Sequence, residues 1–141
     1  MIATSNNSLT GLNAIVVLEP NDEEPHSVWL YLSNGDKIIS DCLLANLIEP
    51  ADAIIKPENR DSPPPVLRQH LTSVAPSETP RDEDLRFIWS KSGKDVAVSI
   101  DGIDVGFIVA GEKRGYSRAL CQVGPWGNPW SGDLFDTHFA N

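Results

Sequence analysis

The sequence predicts an α+β protein, mainly antiparallel β: a strongly bent sheet, barrel or two-sheet sandwich of about seven strands with one or two short helices. Three observations carry this. Runs rich in β-branched and aromatic residues alternate with tight-turn dipeptides. Two separate turns in the second half agree on one apolar face. The C-terminal residues repeat apolar side chains at helical spacing.

In chain order, residues 12–18 read as a strand closed by Glu19-Pro20. Residues 27–33 and 36–43 flank Asn34-Gly35, a dipeptide suited to a type I′ turn. Residues 43–48 fit either a continued strand or one helical turn, since periodicity does not decide over so short a run. Seven of the eleven prolines lie between Pro50 and Pro80, so residues 50–80 read as a proline-rich internal loop, partly disordered. Within it, Leu67, Leu71 and Val74 recur at helical spacing over residues 66–74, with Ser62 as a cap and Pro76 as a stop.

Residues 85–91, 95–100, 103–110 and 116–123 are the clearest strands. Asp101-Gly102 pairs Ile100 with Ile103, Val98 with Val105 and Val96 with Phe107. The turn at residues 91–94 pairs Trp89 with Val96 and Phe87 with Val98. Both registers put Phe87, Trp89, Val96, Val98, Ile100, Ile103, Val105, Phe107 and Val109 on one face. A five-residue loop at 111–115 then sets Ala119 opposite Phe107 and Cys121 opposite Val105. A helix over residues 132–139 follows, capped by Ser131 or Asp133, with Leu134, Phe135, His138 and Phe139 on one face. Neither β block is large enough to hold a core alone, so residues 1–141 form a single domain.

Composition narrows the function classes. Eleven bases against 20 acids give a formal charge of −9. The acidity is concentrated in residues 1–65, where three bases and ten acids leave 3 − 10 = −7, helped by the run Asp22-Glu23-Glu24. Such a field repels nucleic acid and anionic membranes and favours a basic protein partner. No apolar run approaches a membrane span, and Met1–Thr10 carries neither Lys nor Arg, so no targeting signal is expected. Cys42 and Cys121 follow no metal spacing and read as two buried thiols in a reducing cytoplasm.

No catalytic motif is present, and neither GxSxG nor HExxH spacing occurs. Glu23, Glu24 and His26, or Asp133, Asp136 and His138, offer weak metal trios, so no metal or cofactor is expected. The reading is an acidic, non-enzymatic binding protein, inhibitor-like towards a basic protein, with self-association left open. The alternative is a small-molecule-binding domain or small enzyme with a pocket lined by Trp89, Trp126 and Trp130. Candidate binding residues are Trp126 and Trp130, in the turn-rich segment 124–130, and the basic group of Arg114, Tyr116 and Arg118. The spacing of the two tryptophans lets both rings share one side of a turn, where they would either contact a partner or close the sheet and seat the last helix.

Overall fold

A computed structural model describes residues 2–21, 23–53 and 63–140. Asp22, in the acidic run, and Ser62, the expected cap, lie outside the described residues. Four strands make the first sheet: β1 (Ala3–Asn6), β2 (Asn13–Glu19), β3 (Ser27–Asn34) and β4 (Lys37–Asn46), antiparallel and in that spatial order. Five make the second: β5 (Leu85–Trp89), β6 (Val96–Ile100), β7 (Ile103–Ile108), β8 (Tyr116–Ser117) and β9 (Asn128–Pro129). Only its last pair, β8 with β9, is parallel. Helix α1 spans Gly132–Phe139, and 3-10 turns span Arg68–His70 and Asp82–Asp84. The α+β class with antiparallel sheets is therefore present, but as nine strands in two sheets among the described residues. Among the described residues, no helix is long and apolar enough to cross a membrane.

Period-2 alternation builds the space between the sheets. Ala14, Val16, Val28, Leu30, Leu32, Cys42 and Leu44 from the first sheet meet Leu85, Val96, Val98 and Ile108 from the second in one buried cluster. The outer faces are covered too. Trp29 and Leu43 pack under Val66, Leu71, Leu120 and Trp126. Ala97, Phe107 and Val109 pack under Trp130 and the Leu134, Phe135 and Phe139 face of α1. Burial on both faces explains why β3, with the sequence SVWLYLSN, is apolar without clean alternation.

The Asp101-Gly102 turn forms as expected, with φ of 52° and 82°, and Ile100 faces Ile103. Trp89 faces Val96 and Phe87 faces Val98. A bulge then changes the rest of the hairpin. Val105 has no opposite residue, so Val98 pairs with Gly106, Ala97 with Phe107 and Val96 with Ile108. The expected pairs Val98–Val105 and Val96–Phe107 do not form, and Phe107 and Val109 turn to the outer face. The cause lies across the core. A Cβ on Gly106 would fall 2.8 Å from the Cys42 sulfur and 2.9 Å from a Leu44 methyl, so only glycine fits where β7 crosses β4. Ile103 is 60% exposed at the hairpin tip rather than on the buried face.

Four further expectations change. The β3–β4 turn centres on Gly35-Asp36, with Asn34 opposite Lys37; Gly35 alone has positive φ, 61°, which suits the first central position of a type II′ turn. The strand expected over 116–123 stops at Ser117, and Tyr116 rather than Ala119 faces Phe107. Beyond it, the Ala119 carbonyl accepts from Thr72 N–H and Cys121 N–H donates to His70. Cys121 is exposed, whereas Cys42 is buried, and both are free. The helix expected over 66–74 is a single 3-10 turn, extended on both sides (ψ of 141° at Leu67 and 139° at Leu71). Its backbone groups bond other segments instead: Val66 and Arg68 to Ala51, and Thr72 to Ala119. Residues 43–46 continue the strand. The C-terminal helix has the expected bounds, and Ser131 Oγ accepts from Leu134 N–H at 3.3 Å.

Candidate functional site

The aromatic segment is folded into the molecule's own interior. Gly124 and Gly127 exchange backbone hydrogen bonds of 3.0 and 3.1 Å, a narrow loop that Gly127 permits at φ 130°. Trp126 at its tip is 1% exposed, donates its Nε1–H to the Pro64 carbonyl at 2.8 Å and meets His70 edge-on at 5.0 Å. Trp130 turns the other way, edge-on to Phe107 at 5.1 Å and beside Phe135 at 5.1 Å. The two rings thus occupy separate clusters rather than one side of a turn. Trp89 lies at the rim of the inner core, donating to Ser5 Oγ at 3.0 Å. The three tryptophans do not line a common cavity.

The basic group is equally engaged. Arg114 Nη1 donates to the Pro125 carbonyl and stands 3.8 Å from Asp41 Oδ1. Tyr116 stacks on Phe107 at 5.0 Å and donates to Glu112 Oε1 at 2.7 Å. Desolvation, reinforced by that carboxylate, pushes the Tyr116 hydroxyl up to about 12. Arg118 donates to the Asp104 carbonyl at 2.5 Å and lays its guanidinium 3.9 Å from the Trp130 ring centre. Trp130 and Arg118 therefore meet, and Arg114 and Tyr116 flank Glu112 and β8. In this geometry all five residues fasten the C-terminal segment to the sheets.

Among the described residues, no three His, Cys, Asp or Glu side chains gather as metal ligands. Neither expected trio assembles; His138 Nδ1 instead stands 3.6 Å from Asp95 Oδ2. His70 is buried with Nδ1 unbonded, its ring lying against Gly124 where a Cβ would come within 2.4 Å.

Two surface features were not found from the sequence. The first is a segregation of charge between the two ends of the strands. Lys37, Lys91, Lys94 and Lys113 are all exposed in or beside turns at one end, where Asp36 is exposed as well. Two of these turns are tied to the first sheet: Thr10 Oγ1, in the β1–β2 connection, donates to the Gly93 carbonyl at 3.0 Å, and Ser40 Oγ of β4 donates to the Glu112 carbonyl at 2.5 Å. Glu23, Glu24, Glu78, Asp82, Glu83 and Asp101 are exposed at the other end. Arg81 there is held by Glu83 at 3.0 Å and Asp84 at 3.8 Å, and Arg86 donates to its neighbour's carbonyl at 3.1 Å.

The second is an open groove at the lysine end. One arm, about 560 Å³, is lined by Lys37, Ile38, Ile39, Ser40, Asp41, Gly111 and Lys113. An adjoining arm of about 290 Å³ shares Ile39, Ser40 and Gly111 and adds Lys94. The signal for it was Ile38-Ile39 beside a turn, which the misplaced turn centre hid. Burial holds the Asp41 carboxyl above its ordinary range, while Arg114 pulls it down. Compared with known proteins, the chain matches no family model, no curated protein and no solved structure.

Proposed function

We propose that the chain is a non-catalytic, single-domain binding protein that docks a basic protein through the acidic ends of its strands. The segregation of exposed charge carries this reading. A net charge of −9 spread evenly would only keep the protein dispersed. Carboxylates collected mainly at one end, where Arg81 is paired with Glu83 and Asp84, outnumber the two arginines there and make a directional field that steers a cationic face towards one orientation. The cytoplasm, where thiols stay reduced, suits the two free cysteines.

The test is affinity capture from the native lysate with three full-length baits: wild type, an acidic-end variant (Glu23→Gln, Glu24→Gln, Glu83→Gln, Asp101→Asn) and a lysine-end variant (Lys37→Gln, Lys94→Gln). Wild type and the lysine-end variant should retain the same basic protein, and the acidic-end variant should lose it. Equal capture by all three baits, or loss with the lysine-end variant alone, overturns the proposal.

A further inference from the structure

We infer that the open edge of β4 accepts an extended acidic peptide segment of a partner protein as an added strand, seated in the wedge between residues 37–40 and the turn at 111–113. This site is separate from the acidic end and does not depend on the reading given for it.

β4 is the edge strand of the first sheet, and its edge is only half covered. From Asp41 onward the chain covers it itself: Asp41 N–H donates to the Lys113 carbonyl at 3.0 Å, and Gly115 N–H donates to the Asp41 carbonyl at 2.7 Å, a parallel bridge. Before Asp41 the two segments part at the Ser40 side-chain bond to Glu112. Among the described residues, Lys37, Ile38 and Ile39 make no backbone hydrogen bond outside the β3–β4 pairing. The same edge that binds one short extended segment therefore continues, uncovered, along Ile38 and Ile39, up to the Asn34–Lys37 pair that closes the hairpin.

Natural sheets blunt such edges with lysines and bulges, and β4 has both, since Ile39 is the unpaired residue of a bulge opposite β3. Protection does not account for the side chains. Ile38 is 56% and Ile39 38% exposed, and both line the wedge. The facing wall includes Gly111, whose φ of 85° and open surroundings present bare backbone. Main-chain bonds along an edge, with pockets for alternate side chains, are how strand addition recognises a peptide.

Charge chooses the occupant. Lys37 and Lys113 stand on the two walls and Lys94 in the adjoining arm, none of the three in an ion pair among the described residues, and they outnumber Asp36, exposed in the turn beside Lys37. An alternating peptide would set apolar side chains on Ile38 and Ile39 and carboxylates towards the lysines. Asp41 lies at the closed end, already facing Arg114.

The probes are fluorescent nonapeptides added to the full chain: one alternating Glu and Val, one alternating Lys and Val, and two Glu-Val forms N-methylated on either set of alternate amides. The Glu-Val peptide should bind and shift the backbone amide resonances of residues 37–40 and 111–113. A Lys37→Glu, Lys113→Glu variant with an unchanged circular dichroism spectrum should bind about tenfold more weakly, as should at least one N-methylated form. Equal binding of the Lys-Val peptide, indifference to both methylation patterns, or shifts confined to other residues overturns the inference. So does a dimer of the free protein through this edge that the Glu-Val peptide fails to dissociate, because the occupant is then a second copy.

Discussion

Replacing Gly106 with alanine tests the bulge that reorganises the second sheet. Without the bulge, residue 106 points away from the core and a methyl group there meets solvent or α1. With it, the new Cβ lies 2.8 Å from Cys42 Sγ, 2.9 Å from Leu44 Cδ2 and 3.3 Å from the Tyr116 carbonyl oxygen. Cys42 is 1% and Leu44 3% exposed, so neither has open space to retreat into. Forcing a methylene-sized group into such a core costs about 1–3 kcal/mol. Alanine regains about 0.5–1 kcal/mol because glycine is a poor strand residue. Gly106→Ala should therefore lose about 0–2.5 kcal/mol, centred near 1, by urea denaturation with an unchanged slope. Combining it with Cys42→Ala removes one of the three contacts, so the double variant should be more stable than additivity gives, with a coupling of about 0.5 kcal/mol or more. A Gly106→Ala protein more stable than wild type, with no coupling to Cys42→Ala, would refute the close approach of β7 to β4 and restore the unbulged register.

Four other outcomes follow from the same structure. Trp126→Ala should cost about 3–5 kcal/mol in chemical denaturation, and a loss under about 1 kcal/mol would mean the ring is not a core element. In the native state one thiol per chain, Cys121, should react with a thiol reagent; Cys42, whose thiol burial pushes up, should react only on unfolding, and two fast native thiols would contradict this. The folded state holds the Asp41 proton more tightly than the unfolded chain, so ionised Asp41 costs stability above its raised value and nothing below the ordinary carboxylate range. Asp41→Asn should thus be the more stable protein near neutral pH and lose that advantage in acid; a variant less stable than wild type at neutral pH counts against it. Residues 81–141 alone should show no cooperative thermal transition, because Val96, Val98 and Ile108 share their core with β2–β4 and Trp126 shares its own with Trp29, Leu43 and Val66.

What the sequence made legible was what short stretches decide for themselves. Asp101-Gly102 accepts positive φ at both positions, so that turn forms whatever surrounds it. Ser131 caps α1 and the Leu134, Phe135, Phe139 spacing seats it, again within eight residues. What was missed depends on partners far along the chain. The bulge at Val105 answers to Cys42 and Leu44. The helical spacing of residues 66–74 yields to hydrogen bonds with Ala51 and Ala119, and Val74 ends up 51% exposed. β1, with the sequence ATSN, carries no apolar alternation at all and is a strand because β2 offers it an edge. The aromatic segment was recognisable as unusual; that Trp126 and Trp130 enter opposite clusters is set by the Gly124–Gly127 loop and by Pro64, Phe107 and Arg118.

Arginine and lysine are used differently in this chain, and the difference bears on function. Arg68 pairs with Asp52, Arg81 with Glu83 and Asp84, Arg114 holds the Pro125 carbonyl, and Arg118 holds the Asp104 carbonyl and the Trp130 ring. A planar fork with several donors is the suitable group for such fastening. Of the chain's five lysines, the four among the described residues join no ion pair there, although carboxylates outnumber cations in the chain, 20 to 11. Interspersing them among Glu23, Glu24, Asp82, Glu83 and Asp101 would relieve repulsion at the acidic end. Their collection at the opposite end leaves that repulsion in place and puts unpaired ammonium groups around exposed isoleucines. Folding gains nothing from that arrangement, since surface pairs contribute at most about 1 kcal/mol and these contribute none. A basic partner at one end and an acidic strand at the other would each neutralise what the isolated chain leaves unbalanced.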